Sequence, residues 1–353
     1  MRYELRKIIT AYQQLNFTER KVALATVVKL HGSGYRRPGA KMLIVDNGTW
    51  IGAVSGGCLE GDVLRKARQV MLDLIPRIVV YDTMDDAENA FGLGLGCNGI
   101  IEILIEPLQH QSPTNLIELL AKLVNDTKPI TYATVIASES DLIPIGKRFA
   151  VTEEMESFFE RKQLEEAATR QSSILTLDDY TLFVEVIQPD IELVIFGAGY
   201  DALPLVSLGK QVGFQVTVTD ECIAHITPKR FHEASCLIYS KKEEFSDKLP
   251  VTKYSAAILL SHSYYYDKEA LAYLLTTDVG YIGILGPKKR GQKMIDELAI
   301  TDEKQLDKIH YPVGLDIGAE TPEEVALSIV AEVKAFFSKR KGGKLSYRDA
   351  GIH

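Results

Sequence analysis

Two glycine-rich stretches in the first hundred residues each carry one cysteine. They read SGGCLEGD over residues 55–62 and GLGLGCNG over residues 92–99. Glycine costs backbone entropy and packs nothing, so this density indicates sharp turns or backbone that approaches a ligand closely. A thiolate in such backbone can ligate a soft metal, carry a persulfide or attack an electrophile. We therefore predict that Cys58 and Cys97 are catalytic or metal-binding residues.

Cys58 has the stronger local argument of the two. It follows Ser55-Gly56-Gly57 at the predicted start of a helix, where backbone N–H groups favour the thiolate. The alternative for both cysteines is a small buried hydrophobic side chain. They lie 39 positions apart and neither belongs to a Cys-x-x-Cys pair, which argues against a structural zinc site. Cys222 and Cys236 are predicted to be core or edge residues of a sheet.

A third glycine-rich loop, over residues 32–39, carries an aromatic residue and two arginines. Guanidinium groups suit phosphate or a polar, pterin-like ring, because their N–H donors form a planar fork. An ordinary surface loop is the alternative. With the loop before Cys58, it supplies the predicted cofactor-binding residues of the N-terminal part: Tyr35, Arg36, Arg37, Ser55, Gly56 and Gly57.

A dinucleotide fingerprint of the form G-x-G-x-x-A follows the predicted strand at 192–196. Gly197 would permit the tight turn, Gly199 the approach of a pyrophosphate, and Ala202 close packing of the next helix. Asp220 ends the next predicted strand, where it could bond a ribose hydroxyl and oppose a 2′-phosphate. The pattern predicts NAD rather than NADP. The alternative is a Rossmann scaffold that is vacant or accepts another phosphate-bearing ligand.

Two further segments follow predicted strands of the same region. His262 comes just after the strand at 256–260, and Lys288 and Arg290 come just after the strand at 281–285. Ligands bind at the carboxyl ends of parallel strands. His262 is therefore a predicted ligand or acid–base group, and the two basic residues are a predicted anion clamp. The alternatives are a hydrogen-bonded structural histidine and a solvated basic turn.

The elements that must position these residues indicate an α/β protein with two domains. The first part mixes helices, strands and a hairpin across Asp46-Asn47-Gly48, and includes a charged helical stretch near 152–170. From residue 191, short apolar strands alternate with helices, which is typical of a parallel sheet with helices on both faces. The final helix has a capping box formed by Thr321 and Glu324, with Pro322 at its first position.

We predict an N-terminal α+β domain followed by a Rossmann-like, doubly wound parallel-sheet domain. The predicted bounds are 1–189 for the N-terminal domain, 190–340 for the Rossmann-like domain and 341–353 for a C-terminal tail. The chain has 353 residues, which is long enough for two hydrophobic cores.

The composition excludes several classes of protein. The net charge of −8 and the pI of about 5.5 argue against nucleic-acid binding. Four cysteines in 353 residues do not make a disulfide framework and indicate reduced thiols. The sequence has no secretion signal and no run of about 18 apolar residues, so we expect a cytoplasmic protein without a membrane span.

Together these segments resemble the xanthine dehydrogenase accessory factor family, XdhC/CoxI. The resemblance covers nearly the whole chain and rests on residues 32–42, 55–60, 94–97, 197–199, 262, 281–283 and 314–324. It implies a chaperone-like accessory protein that binds the molybdenum cofactor (molybdopterin). Such a protein holds the cofactor while a cysteine desulfurase supplies the terminal sulfur, and delivers it to an apo-enzyme of the xanthine dehydrogenase type. Thiolates suit the metal, and arginine-bearing glycine loops suit the phosphorylated pterin.

Three functions remain open on the sequence. The first is this carrier and maturation factor, which is a cofactor-binding chaperone rather than a turnover enzyme. The second is an NAD-dependent oxidoreductase that uses Cys58 or His262. The lack of a clear catalytic base in the sequence argues against it. The third is a regulatory nucleotide sensor. A homodimer is expected, because a cofactor that must stay dry is easily shielded between two copies of the chain.

Overall fold

The part of the chain that can be described comprises most, but not all, of the sequence. The computed structural model describes residues 2–82, 99–140, 143–150, 172–177 and 179–347. The predictions for Cys97 and for the charged helical stretch near 152–170 lie outside these residues. No helix within the described ranges is long and apolar enough to cross a bilayer.

The chain divides into two compact units, Met1–Pro189 and Asp190–His353. The hydrophobic clusters of the first unit contain only residues between Leu5 and Ile187. Those of the second contain only residues between Ile191 and Phe337. Each unit therefore has a core of its own.

The first unit contains two antiparallel sheets. The larger has the strand order β3-β2-β1-β5-β4 and comprises β1 Val22–Gly32, β2 Lys41–Val45, β3 Trp50–Gly52, β4 Arg77–Asp82 and β5 Gly99–Leu108. The smaller has the order β7-β6-β9-β8 and comprises β6 Ile130–Ser138, β7 Arg148–Ala150, β8 Ser173–Thr176 and β9 Tyr180–Ile187. The predicted hairpin is confirmed: β2 and β3 pair with Met42 opposite Gly52, and Gly48 in the turn has a φ of 93°.

Helices cover both faces of the larger sheet. They are α1 Arg2–Gln13, α2 Glu60–Asp73 and α3 Leu116–Leu123. Side chains alternate along β1, so Ala23 and Ala25 pack with α2, while Val22 and Leu24 pack with α1 and α3. This packing fixes the start of α2, and with it the loop that carries Cys58.

Two buried ion pairs join the two sheets of the first unit. Lys41 of β2 places its Nζ 2.6 and 2.7 Å from the carboxylate oxygens of Glu185 on β9. Tyr132 of β6 donates to the same carboxylate at 2.5 Å. Arg148 of β7 pairs with Glu106 of β5. Because buried charges need partners, these contacts fix the smaller sheet on the larger one.

The second unit is a parallel sheet of the Rossmann type. Its order, β12-β11-β10-β13-β14-β15, is the 3-2-1-4-5-6 order of that fold. The strands are β10 Glu192–Phe196, β11 Gln215–Asp220, β12 Cys236–Tyr239, β13 Ser255–Leu259, β14 Tyr281–Ile284 and β15 Ile309–His310. The point where the strand order reverses lies between β10 and β13, and ligands of such sheets bind there.

Helices cover both faces of this sheet as well. In chain order they are α4 Ala202–Gln211, α5 Phe245–Lys248, α6 Tyr264–Leu274, α7 Lys288–Glu297, α8 Glu303–Leu306 and α9 Pro322–Phe337. α4 and α9 pack on one face, and α5, α6 and α7 on the other. The predicted capping box of α9 is confirmed, since Thr321 accepts from the Glu324 N–H and Glu324 accepts from the Thr321 N–H.

Candidate functional site

The Cys58 loop connects β3 to α2. Cys58 is half-buried, and Gly56 and Gly57 before it are exposed. An added Cβ at Gly57 would meet nothing within 4 Å, so the space beside the loop is open. The first helical residue is Glu60, two positions after the thiol. The loop therefore presents a thiol and bare backbone to a ligand.

Ser55 holds the backbone of this loop through hydrogen bonds. Its buried hydroxyl accepts from the backbone N–H of Gly57 at 3.2 Å and of Leu59 at 3.1 Å. Cys58 Sγ lies 3.5 Å from the same oxygen. The Ser55 hydroxyl proton goes to Glu60 Oε2 at 2.5 Å, so this hydroxyl has no proton left to donate to the thiol. Ser55 was predicted to bind cofactor, and its observed contacts are within the loop.

Glu60 was not predicted, although it is the nearest charge to Cys58 in sequence. Its carboxylate is buried and accepts from both the hydroxyl and the N–H of Ser55. Burial raises the pKa of Glu60, but these hydrogen bonds outweigh it and hold the pKa below its ordinary value. A carboxylate therefore lies at the N-terminus of α2, where sequence reasoning placed a thiolate alone. Its signal in the sequence is an acidic residue in the first turn of the predicted helix.

The loop at 32–39 supplies an aromatic side chain to the same place. Tyr35 is exposed, and its Cγ would lie 3.4 Å from a Cβ added at Gly56, so the ring lies against the Cys58 loop. Arg36 does not offer an open fork, because both of its terminal nitrogens bind Glu4 of α1, at 3.0 and 2.6 Å. This pair raises the pKa of Arg36 and lowers that of Glu4. Arg37 is exposed.

The described residues contain no group of three or more His, Cys, Asp or Glu side chains that could hold a metal ion. Cys97, the predicted second ligand, lies outside those residues. Gly99, where the description resumes, pairs with Gly32 at the start of the arginine-bearing loop. The thiol of Cys58 is thus the soft ligand that the described part of the first unit offers.

The fingerprint loop of the second unit has the backbone that its glycines predict. Gly197 has a φ of 117°, and a Cβ there would lie 2.5 Å from the Cα of Ser261. Only glycine fits that position. Ala202 is fully buried at the first turn of α4. These two residues set the turn and the close helix packing, as the fingerprint requires.

Asp220 accepts hydrogen bonds from its own loop and is buried from solvent. One oxygen accepts from the Ala198 N–H at 2.8 Å and the other from the Cys222 N–H at 2.7 Å. His225 approaches the second oxygen at 3.6 Å. Both oxygens that a ribose would need are therefore already hydrogen-bonded.

His262 lies at the point where the strand order reverses, and its partner was not predicted. His262 has a φ of 61°, and its Nε2 lies 2.9 Å from Oδ2 of Asp201, at the start of α4. The histidine is exposed, while the other oxygen of Asp201, Oδ1, is buried without a hydrogen-bond partner. Asp201 stands at a variable position of the G-x-G-x-x-A fingerprint. Its partner His262 lies 61 residues away, so the sequence gives no local signal for the contact.

The predicted anion clamp is only partly open. The Arg290 guanidinium already donates to buried Asp267 at 2.8 Å and to the Leu285 carbonyl at 3.0 Å, so its part in the clamp stays a prediction. Burial raises the pKa of Asp267, and the bound guanidinium opposes that shift. Lys288, at the start of α7, is exposed, and its part in the clamp stays a prediction.

Comparisons with known proteins agree with both folds. The XdhC Rossmann domain matches residues 193–333, and the XdhC and CoxI family matches residues 18–82. A Bacillus subtilis protein, named as a probable subunit of xanthine dehydrogenase, is 32% identical over 321 residues, which cover 89% of this chain and 93% of the relative. The chain belongs to the XdhC and CoxI family.

Two other known proteins align with most of this chain. The molybdenum cofactor insertion chaperone PaoD of Escherichia coli is 24% identical over 314 residues, covering 88% of this chain and 81% of that one. A solved structure from Bacillus halodurans, described as a xanthine dehydrogenase, is 28% identical, covers 98% of both chains and has a TM-score of 0.76. The predicted family and the predicted fold class are confirmed.

Proposed function

We propose that the chain is an accessory factor that binds the molybdenum cofactor as cargo and inserts it into a xanthine dehydrogenase-type molybdenum hydroxylase. The observation that carries this proposal is the half-buried Cys58 thiol in an exposed glycine loop, in a chain similar to a molybdenum cofactor insertion chaperone. Thiolate sulfur is a preferred ligand for soft metals. The space beside Gly57 is open, since nothing lies within 4 Å of an added Cβ there.

The proposal also names a sulfur-donating partner, an oligomeric state and a cellular compartment. A cysteine desulfurase supplies the terminal sulfur while the cofactor is held, and the chain acts as a homodimer that keeps the cofactor dry. The cytoplasm suits this work, because thiols remain reduced there.

The test is the cofactor content of purified variants. In a host that makes the cofactor, Cys58→Ser should lower bound molybdenum and pterin about tenfold or more, because it removes the soft ligand while keeping the size of the side chain. A partner hydroxylase matured with this variant should hold less sulfurated cofactor. Metal analysis and pterin fluorescence after release measure both effects.

Cys222→Ser is the matched control, because Cys222 is a half-buried thiol of the second unit. It should change neither cofactor content nor maturation. Alkylation rates of the cysteines across pH, measured beside these variants, should identify Cys58 as the most reactive thiol. Full cofactor content and normal maturation with Cys58→Ser would show that the thiol is not the ligand, even though the family assignment stands.

The alternative of an NAD-dependent oxidoreductase gains no support from the second unit. Both oxygens of Asp220 already accept from backbone N–H groups of their own loop, which leaves no free carboxylate oxygen for a ribose. We therefore do not propose turnover of a nicotinamide substrate.

A further inference from the structure

The carboxylate of Asp201 fills the place where a Rossmann fold receives a pyrophosphate. In the fingerprint, the second glycine lets the backbone approach the phosphates at the helix N-terminus. Here that glycine is Gly199, and Oδ1 of Asp201 lies 2.6 Å from the position that a Gly199 Cβ would take. The loop's own carboxylate thus occupies the space that the missing side chain leaves.

The charge of Asp201 also opposes a dinucleotide. Its neighbour His262 is exposed and binds only Oδ2. A pyrophosphate in the crevice where the strand order reverses, beside Gly199 and His262, would meet the carboxylate of Asp201, and like charges brought together at a binding site oppose binding. The residues of this crevice therefore do not fit the group that the fold family implies.

Asp201 instead calls for a hydrogen-bond donor. Oδ1 is buried without a partner, and such an acceptor is costly to leave unsatisfied. Tyr200, the residue before Asp201, has an exposed ring, and aromatic rings offer stacking surfaces to heterocycles. We propose that the crevice selects a nitrogen heterocycle whose N–H donors bind Asp201, and that Asp201 excludes the pyrophosphate of a dinucleotide.

The proposal rests on the proposed function for one choice only, that of the heterocycle. A pterin ring has an amino group beside a ring N–H, and this edge can donate two hydrogen bonds to one carboxylate. On binding, the ring edge would reach Oδ1 and share or displace the contact of Oδ2 with His262. The exclusion of pyrophosphate does not depend on the chain carrying molybdenum.

Calorimetric titration of the full chain tests both halves. The probes are NAD⁺ and 6-hydroxymethylpterin, which carries the ring without phosphate or metal. The native chain should bind the pterin more tightly than NAD⁺. Asp201→Asn should weaken pterin binding about tenfold and strengthen NAD⁺ binding about tenfold, since it removes the charge and keeps the size.

Glu221→Gln is the control, because Glu221 is an exposed carboxylate that follows Asp220 at the same sheet edge. It should change neither affinity. If Asp201→Asn fails to fold, Asp201→Ala gives the same readout without a buried amide. The proposal would be overturned if the native chain binds NAD⁺ and these variants leave that affinity unchanged or weaken it. Pterin binding that is absent, or that does not depend on Asp201, would overturn it as well. Failure of the cofactor-carrier proposal would appear separately, in the molybdenum content of the Cys58 variant.

Discussion

At the scale of single residues, Glu60 places a negative charge beside the thiol on which the proposed function rests. The Ser55 hydroxyl lies between the two, since it donates to Glu60 and its oxygen is 3.5 Å from Cys58 Sγ. A metal or sulfur ligand at Cys58 would have to displace the thiol proton next to this carboxylate. Glu60 therefore holds the loop in shape through its two hydrogen bonds with Ser55.

Replacing Glu60 by glutamine should destabilise the first unit by about 1–3 kcal/mol at neutral pH, because a buried charged acceptor for Ser55 is lost. The pKa of Glu60 is below 4.5 in the folded chain. The stability that its charge supplies is thus present above the unfolded pKa and is lost as pH falls through the folded one. Urea unfolding from pH 7 to pH 3 should show native and variant chains converging on acidification.

Glu323→Gln is the control for Glu60, because Glu323 is an exposed carboxylate in the first turn of α9. It should cost less than about 1 kcal/mol. Equal stability of the native chain and Glu60→Gln at every pH would show that the Ser55 contact contributes nothing.

At the scale of elements, the two sheets of the first unit depend on the ion pair between Lys41 and Glu185. Side-chain exposures of 5% and 1% leave almost no water to replace either partner. The Tyr132 hydroxyl completes the network, and burial together with Glu185 raises the pKa of Tyr132 well above its usual range.

Removing one partner of this pair should be costly. Glu185→Gln leaves the Lys41 ammonium buried without a counter-charge, so we expect a loss of about 3–5 kcal/mol in the free energy of unfolding. The double change Lys41→Met with Glu185→Leu should recover most of that loss, because no charge then remains buried. Denaturant unfolding measures all three chains.

Glu102→Gln provides the matched comparison, since Glu102 pairs with Lys29 at 3.2 Å on the same sheet but both side chains are partly exposed. Its cost should be at most about 1 kcal/mol. A double variant no more stable than Glu185→Gln would mean that packing, and not the unpaired charge, sets the loss.

Local patterns predicted the elements well, whereas the partners of the site residues depend on tertiary contacts. The β2–β3 hairpin, the α9 capping box and the turn at Gly197 each follow from a few adjacent residues. Glu4, Glu185 and Asp201 could not be assigned, because their partners lie 32, 144 and 61 positions away. Only packing of helices and sheets brings such residues together.

At the scale of the whole molecule, the two units have separate cores. Every residue of the two hydrophobic clusters in the second unit lies between Ile191 and Phe337. Its sheet has the complete Rossmann strand order without a strand from the first unit.

A fragment of residues 190–353 should therefore fold on its own. We expect a cooperative thermal transition and a far-UV circular dichroism spectrum of a mixed α/β protein, because domains with their own core can fold alone. The control is a fragment that begins at residue 202, which lacks β10, the strand between β11 and β13 in the sheet. A non-cooperative transition of the 190–353 fragment would show that the second unit needs the first to fold.

Trp50 of β3 is the single tryptophan of the chain, and it is exposed on the strand that leads into the Cys58 loop. Indole emission therefore comes from the first unit alone, whereas the second unit has only tyrosine fluorescence. A pterin absorbs in the near ultraviolet, where indole emits. Cargo held at the Cys58 loop would quench Trp50 by energy transfer, so the fall in indole emission gives a label-free readout of cargo binding.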